Sequence, residues 1–366
     1  MKNKRIRLGV LGLNRGIDVT KGIIGSDKAE IAAICDLRED RLQSARAILD
    51  KNGVADYKCF TDFEEMLRSD IDAVFIATDA PLHAKQAIQA LNAGKHVLSE
   101  IPNIDSIEDA IALKAAVKAH PELKYMAAEN CCYWAFIQMW KNMHEKGDFG
   151  DIVYAESEYL HSSDIYRQKP ENDTLHYKGS WRCSYTAIKY LTHNLGPLLY
   201  IMNDRCVSVS CMIPDARYNL LKDSAATENG VAIFKTAKGA VIRILICFGA
   251  YVGFDHNFAL YGTRGIILTD KTEPLNTAHS FTKLASDGNI RKAKEIPITM
   301  QYSEEASSEG HGGADTVMLN AFIDCIINDT KPPVDIELGI NMAVPGIIAE
   351  RSAMNGGVLT EIPEII

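Results

Sequence analysis

The segment YLTHNLGP, residues 190–197, contains a single histidine, His193. Apolar residues precede it as in a helix, and Gly196 and Pro197 should end that helix, because proline cannot donate a backbone hydrogen bond. An imidazole ionises at about pH 6.5, which suits proton transfer near neutrality. Many histidines in apolar segments nevertheless only pack in a core and bond to a local partner. The segment alone therefore leaves two interpretations open, a core residue and a group directed at a substrate.

A glycine-containing turn follows the first apolar run, in GVLGLNRGID at residues 9–18. Gly12 fits the tight turn of a dinucleotide site, where a helix N-terminus then faces the pyrophosphate. In the G-x-G-x-x-G pattern counted from Gly12, Asn14 occupies the second glycine position, and asparagine tolerates left-handed backbone angles. Gly16 lies one residue before the third glycine position. The turn therefore indicates an imperfect dinucleotide-binding fingerprint.

Asp36 ends the second apolar run, 24 residues after Gly12. A carboxylate at that distance can accept hydrogen bonds from the adenosine ribose hydroxyls, and it would repel a 2′-phosphate. NAD is therefore favoured over NADP, although Arg38 could soften the preference. The alternative role for Asp36 is a simple helix cap.

The composition indicates a globular protein of two domains. Its 366 residues exceed what one hydrophobic core usually organises, and 47% of them are apolar. A net charge of −9 argues against nucleic acid or an anionic membrane as a partner, so a small molecule is expected. No run is apolar enough to span a bilayer. The nine cysteines show neither a disulfide framework nor zinc-ligand spacing, which predicts no metal and a cytoplasmic location.

Short β-rich runs alternate with helix-like segments up to about residue 125. The runs are IRLGVLG, EIAAICD, AVFIAT, HVLSEIP and KYMAAEN, and one intervening helix is expected over residues 81–92. The alternation predicts a doubly wound parallel sheet. Longer strands beyond about residue 150 predict a mostly antiparallel sheet with a hairpin turn at 237–239. A loop at 307–315 should precede a late helix over 316–329.

The stretch DAVFIATDAPLHAKQAIQALNAGKHVLSEIP, residues 72–102, resembles the glucose-fructose oxidoreductase and inositol dehydrogenase family (Gfo/Idh/MocA). LYGTRGIIL and GHGGAD resemble later segments of the same family. The resemblance implies an α/β protein, with an NAD-binding Rossmann domain over 1–125 and a substrate-binding α+β domain with an open, mostly antiparallel sheet over 126–366. A late helix could pack back on the first domain. The resemblance also implies a homo-oligomer, a dimer or a tetramer.

Two departures from the usual family pattern point to one branch. Glu100, Ile101 and Pro102 stand where most members have Glu-Lys-Pro, so the usual catalytic lysine is absent. The family's paired Asp and His are replaced by THNLGP, which retains only the histidine. Both departures, together with ENCCY at residues 129–133, are similar to the NAD-dependent α-N-acetylgalactosaminidases.

Removing a hydride from an alcohol requires a base within hydrogen-bond reach of the hydroxyl. With the lysine absent, His193 and Tyr133 are the predicted catalytic residues, although Tyr133 could also be an aromatic residue that only packs at the domain junction. The predicted cofactor contacts are Gly12, Asn14, Arg15, Asp36, Thr78, His83, Glu100, Pro102 and Asn130. The predicted sugar contacts are His161, Trp181, Arg182 and His311.

Three functions fit this sequence. The first is an NAD-dependent oxidoreductase that acts on a sugar or glycoside by hydride transfer at a ring secondary alcohol. The second is a redox-neutral glycosidase, in which oxidation acidifies the adjacent C–H, elimination expels the leaving group, and re-reduction restores the alcohol. The third is a non-catalytic sugar or nucleotide sensor, because a fold alone does not prove activity.

Overall fold

The computed structural model describes residues 5–161, 181, 185–219, 227–250, 254–271, 281–286, 290–298 and 310–366. Its contacts divide the chain into two compact units. Unit 1 comprises Met1–Asn130 and Tyr302–Ile340, and unit 2 comprises Cys131–Gln301 and Asn341–Ile366. The assignment of an NAD-binding role to residues 1–125 and a substrate-binding role to residues 126–366 stays a prediction.

Unit 1 contains a parallel six-stranded sheet in the order β3-β2-β1-β4-β5-β6. All the runs that the sequence predicts as parallel strands lie in this sheet. The added strand, β3, has only three residues, none of them fully buried, so it gives little sequence signal. The strands are β1 Ile6–Leu11, β2 Ala29–Cys35, β3 Lys58–Phe60, β4 Ala73–Ile76, β5 His96–Ser99 and β6 Tyr125–Ala127.

The strand order reverses between β1 and β4, which makes their carboxyl ends a topological switch point. Helices cross over between the strands, and the expected helix over 81–92 is present as a short 3-10 turn followed by α4. The late helix α8 also belongs to unit 1. The helices of unit 1 are α1 Arg15–Thr20, α2 Glu39–Lys51, α3 Phe63–Leu67, α4 His83–Asn92, α5 Ile107–Ala119 and α8 Ala314–Ile327.

Unit 2 contains a nine-stranded sheet in the order β14-β13-β12-β11-β7-β10-β9-β8-β15. Every neighbouring pair is antiparallel except β7 with β10, so the sheet is mixed but mostly antiparallel, as expected. The predicted hairpin at 237–239 joins β9 to β10. The strands are β7 Ile152–His161, β8 Cys206–Met212, β9 Asn229–Thr236, β10 Val241–Cys247, β11 Phe254–Gly262, β12 Ile266–Leu268, β13 Phe281–Ala285, β14 Lys294–Pro297 and β15 Thr360–Glu361.

Helix α6, Ala135–Glu145, and helix α7, Thr192–Met202, belong to unit 2. The expectation that Gly196 and Pro197 end a helix is wrong, because both residues lie inside α7. The apolar approach instead forms a 3-10 turn, Ala187–Tyr190, and α7 ends at Asn203 in the left-handed conformation (φ 46°). His193 is therefore near the start of a helix rather than at the end of one.

The remaining long helix, α9, runs over Ile336–Met354 and passes from the residues of unit 1 to those of unit 2. The chain is thus an α/β protein with a doubly wound parallel sheet and a second, mostly antiparallel sheet. Among the residues that the structure describes, no helix has the length and hydropathy needed to cross a bilayer.

Candidate functional site

Unit 1 places the glycine turn at the carboxyl end of β1. Gly12 has φ 86°, and a Cβ atom there would lie 2.5 Å from the carbonyl oxygen of Ala77, just after β4. Gly16 also has no space for a side chain, because a Cβ atom there would lie 2.8 Å from a methyl group of Val10. Gly12 is therefore required by the close backbone approach of β1 and β4, and Gly16 leaves room for the Val10 side chain against α1.

Asn14 does not use the left-handed conformation that the sequence suggests for it. Its φ of −76° and ψ of −74° are right-handed, and its side-chain oxygen accepts a hydrogen bond from Arg41 (3.0 Å). The turn thus needs no second glycine, because helix α1 begins directly after Asn14.

The Asp36 carboxylate lies beside this turn. It accepts hydrogen bonds from the backbone N–H groups of Leu13 (2.8 Å) and Arg38 (3.0 Å). A carboxylate offers about four acceptor positions, so capacity for ribose hydroxyls is left. The Arg38 guanidinium is paired with Asp40. The glycine turn and Asp36 therefore fit a dinucleotide.

His83 connects the segments that follow β4 and β5. Its Nδ1 lies 2.9 Å from the carbonyl oxygen of Pro102, and its Nε2 lies 3.0 Å from that of Thr78. Burial lowers the pKa of His83, so the neutral ring donates to only one of these carbonyls at a time. The Thr78 hydroxyl bonds to Gln86, and the peptide before Pro102 is cis. These contacts position the two loops at the edge of the sheet.

Arg15 is the centre of a charged cluster in unit 1. Its Nε donates to Glu100 (2.9 Å), and its two terminal nitrogens donate to the two carboxylate oxygens of Asp315 (2.7 Å each). Asn130 and His311 also bond to Asp315, at 2.8 and 3.0 Å. We call these five residues the Arg15 cluster.

Asp315 is the most enclosed charge of the Arg15 cluster, with a side chain only 4% exposed. Burial would raise its pKa, but the hydrogen bonds from His311 and Arg15 outweigh burial and hold the pKa well below the usual range. Arg15 is half-buried, which alone would lower its pKa, but Glu100 and Asp315 raise the pKa and keep its guanidinium charged. Arg15 and Asp315 therefore remain ionised at neutral pH.

Unit 2 contains the predicted site residues His193, His161 and Trp181. The Nδ1 of His193 lies 3.1 Å from the Sγ of Cys131, and its ring contacts Tyr159 and Tyr190 with centroid distances of 5.6 and 5.4 Å. His161, at the end of β7, contacts Tyr159, and Trp181 contacts Tyr190. Through Tyr159 and Tyr190, the rings of His193, His161 and Trp181 thus belong to one aromatic cluster.

The remaining predictions are placed differently. Tyr133 is buried at the end of the 3-10 turn formed by residues 130–133. His311, predicted to contact a sugar, lies in unit 1 and bonds to Asp315. Arg182 lies outside the described residues. Sequence reasoning missed Asp315, although it ends the GHGGAD motif, and it gave no role to Cys131, although ENCCY contains it.

A Rossmann-type parallel sheet with a glycine turn after its first strand, together with a large mixed sheet, is the architecture of a dinucleotide-dependent oxidoreductase. Residues 6–128 match the family described as "Oxidoreductase family, NAD-binding Rossmann fold", and residues 137–268 match "GFO/IDH/MocA C-terminal domain". The chain belongs to the Gfo/Idh/MocA family of enzymes. Residues 225–366 also match "Glycosyl hydrolase 109, C-terminal domain".

Two proteins of similar sequence are named as glycoside hydrolases. A glycosyl hydrolase family 109 protein of Solibacter usitatus is 26% identical, over 99% of this chain and 88% of that protein. An alpha-N-acetylgalactosaminidase of Bacteroides fragilis is 28% identical, over 98% of this chain and 91% of that protein.

Solved structures show the same fold. Scyllo-inositol dehydrogenase from Lactobacillus casei with bound NAD(H) and scyllo-inositol has a TM-score of 0.78 at 20% identity, over 98% of this chain and 99% of that chain. Levoglucosan dehydrogenase in complex with NADH and levoglucosan has a TM-score of 0.81 at 18% identity, over 99% of this chain and 100% of that chain.

Proposed function

We propose that this protein is an NAD-dependent enzyme that acts on a glycoside by hydride transfer at a ring secondary alcohol. The observation that carries the proposal is position 101, where an isoleucine only 4% exposed takes the place of the usual lysine. An apolar side chain cannot take up the proton of the hydroxyl, so another group must do so. His193, held by Cys131 and two tyrosines, is suited to that task.

Each unit supplies a different part of this chemistry. In unit 1 the Gly12 turn and Asp36 would bind NAD, which supplies a hydride acceptor when bound. In unit 2 the imidazole of His193 would take the hydroxyl proton, and the phenol of Tyr133 is the second candidate for proton transfer. His161, Trp181 and Arg182 are the proposed sugar contacts of that unit, since aromatic rings stack on the apolar face of a pyranose. His311, in contrast, belongs to the Arg15 cluster of unit 1.

The redox-neutral form of this reaction is favoured over net oxidation. Residues 225–366 match the C-terminal domain of glycosyl hydrolase 109, and the similar Bacteroides fragilis protein is named an alpha-N-acetylgalactosaminidase. Net oxidation of a sugar is the second candidate, because the structural neighbours include sugar and inositol dehydrogenases. The two forms differ in one measurable respect: only net oxidation releases NADH.

The test begins with the purified protein, from which bound dinucleotide is released by denaturation and identified by mass spectrometry. The native protein is then given aryl glycosides, including an aryl α-N-acetylgalactosaminide, without added NAD. Release of the aryl alcohol with no net NADH supports the redox-neutral form. Net NADH formation from free sugars would favour the dehydrogenase. A dinucleotide-loaded protein that converts neither class of compound would overturn the proposal.

Two further predictions accompany the proposal. We expect a homo-oligomer, a dimer or a tetramer, which light scattering on the eluting protein would measure. We also expect a cytoplasmic location, which fractionation of the source cells would test.

A further inference from the structure

The Arg15 cluster crosses the strand ends of unit 1. Arg15 opens the helix that follows β1, and Glu100 follows β5, while β4 lies between these two strands. Neighbouring strands are about 4.8 Å apart, so β1 and β5 are separated by roughly 10 Å. The bond between Arg15 Nε and Glu100 (2.9 Å) therefore joins the segments that follow two strands that are not neighbours in the sheet.

This location distinguishes the two halves of a dinucleotide. In an open parallel sheet the ligand binds outside the carboxyl ends of the strands at the switch point, here β1 and β4. Asp36 ends β2, on the β3 side of that point, where the adenosine ribose is expected. The Arg15 cluster lies on the β5 side, where the other half of the molecule is expected.

The hydrogen bonds of the Arg15 cluster show which groups remain for a ligand. Asp315 accepts four hydrogen bonds, two on each oxygen, which fills the capacity of a carboxylate. The described contacts use three of the five N–H groups of Arg15, whose side chain is 30% exposed. Glu100 accepts one bond on each oxygen, from Arg15 and from the Ile101 N–H, and so has acceptor positions left.

The charge of the cluster does not suit a phosphate. One guanidinium faces two carboxylates, so negative charge predominates among these three groups. A ligand that meets both N–H donors and carboxylate acceptors should itself carry donors and acceptors without charge, as a ribose diol or a carboxamide does.

Arg15 and Glu100 are already predicted cofactor contacts, and their place on the β5 side assigns that contact to the nicotinamide-nucleoside half. We propose that Asp315 is the positioning residue that fixes the Arg15 guanidinium for this contact. The inference rests on the proposed function, since it assumes that unit 1 binds NAD. Asp315 itself does not touch the ligand, because its acceptor positions are all filled from within the protein.

The test compares the affinities of three ligands that share the adenosine diphosphate part. ADP contains the adenosine and pyrophosphate part, ADP-ribose adds the second ribose, and NAD⁺ adds the nicotinamide. Dissociation constants are measured by calorimetry on the full chain, freed of retained dinucleotide, for the wild type and for Asp315→Asn. The matched control is Asp324→Asn, which makes the same change on the same helix at an exposed pair with Lys28.

We expect Asp315→Asn to weaken NAD⁺ and ADP-ribose about tenfold or more, as for lost hydrogen bonds to a charged group, and to leave ADP within about twofold. Asp324→Asn should change none of the three. Equal weakening of ADP and NAD⁺ would assign the cluster to the pyrophosphate and overturn the inference, and so would an unchanged NAD⁺ affinity.

A second variant keeps the test informative if Asp315→Asn does not fold. Arg15→Lys keeps the positive charge but loses the planar fork that matches Asp315, so it should give the same pattern over the three ligands. Failure of the proposed function is distinguishable, because a wild type that binds neither ADP nor NAD⁺ contradicts the dinucleotide site itself. A wild type that binds both, with no selective loss in either variant, overturns only the role of the cluster.

Discussion

The Sγ atom of Cys131 lies 3.1 Å from Nδ1 of His193, within the hydrogen-bond limit for sulfur. The contact joins the residue that follows Asn130 to the first turn of α7, two segments that are both fixed by their own backbone hydrogen bonds. It orients the imidazole together with the surrounding tyrosines. A ring held in this way can transfer a proton without first being reorganised.

Replacing His193 with alanine should lower turnover roughly 10² to 10⁴-fold, the usual contribution of a general acid or base. NAD affinity should stay almost unchanged, because Gly12 and Asp36 lie in the other unit. Specific activity, NAD affinity and thermal melting are measured on one preparation, with His144→Ala as a histidine control in the same unit. A lower melting temperature with normal activity of the folded protein would make His193 a core residue.

Replacing Cys131 with alanine should lower kcat more than it changes KM, by about fivefold, because one hydrogen bond of roughly 1 kcal/mol to His193 is lost. Cys132→Ala is the matched control, because Cys132 is the adjacent thiol and is equally buried. Identical effects of the two variants would show that general packing, and not the contact with His193, is responsible.

Replacing Asp36 with serine should raise the affinity for NADP relative to NAD by about tenfold or more, because like charges in one binding site cost several kcal/mol. The wild type should bind NAD more tightly. Titration of both dinucleotides gives the ratio, and Asp18→Ser, an exposed aspartate of unit 1, is the control. Tighter binding of NADP by the wild type would contradict this assignment.

Replacing Ile101 with lysine should not increase turnover. Position 101 is buried, so an ammonium group there loses its hydration, and proton transfer is assigned to His193 instead. Steady-state rates of Ile101→Lys are compared with those of Ile101→Val, which keeps an apolar side chain. A clear gain with lysine would show that the protein is a dehydrogenase weakened at this position.

Replacing Asp315 with asparagine should lower the free energy of unfolding at neutral pH by roughly 3 kcal/mol, because Arg15 loses its buried partner. The pKa of Asp315 is depressed in the folded state, so its stabilisation is complete above about pH 4, the unfolded value, and decreases as the pH falls towards the folded pKa. Melting of both proteins over a pH series should therefore show a difference that narrows in acid. A constant difference would contradict the role of the ionised carboxylate.

The parts of the fold that follow local rules could be predicted from the sequence. The parallel strands are apolar runs separated by amphipathic helices, and the 237–239 hairpin carries a glycine with positive φ. Strand β3 has neither a continuous apolar run nor a clear alternation. Pro197 misled the prediction of α7, since tertiary packing buries most of this helix and outweighs the loss of one hydrogen bond.

Candidate site residues could be named from the sequence where a recognisable motif contains them. Gly12 and Arg15 occur in the glycine turn, and His193 is selected because the lysine is missing at position 101. The pairing of Arg15 with Asp315 joins positions 300 residues apart. Nothing in the local pattern around either residue indicates the other, so only the folded chain shows the contact.

The division of unit 1 into two stretches of sequence affects how the protein is made. A ribosome completes Met1–Asn130 long before it reaches Tyr302–Ile340. At a synthesis rate of about 5–20 residues per second, the delay is on the order of ten seconds or more. During that interval the nascent chain carries Arg15 and Glu100 without Asp315, so the guanidinium has one of its two carboxylate partners while the other has not yet been translated.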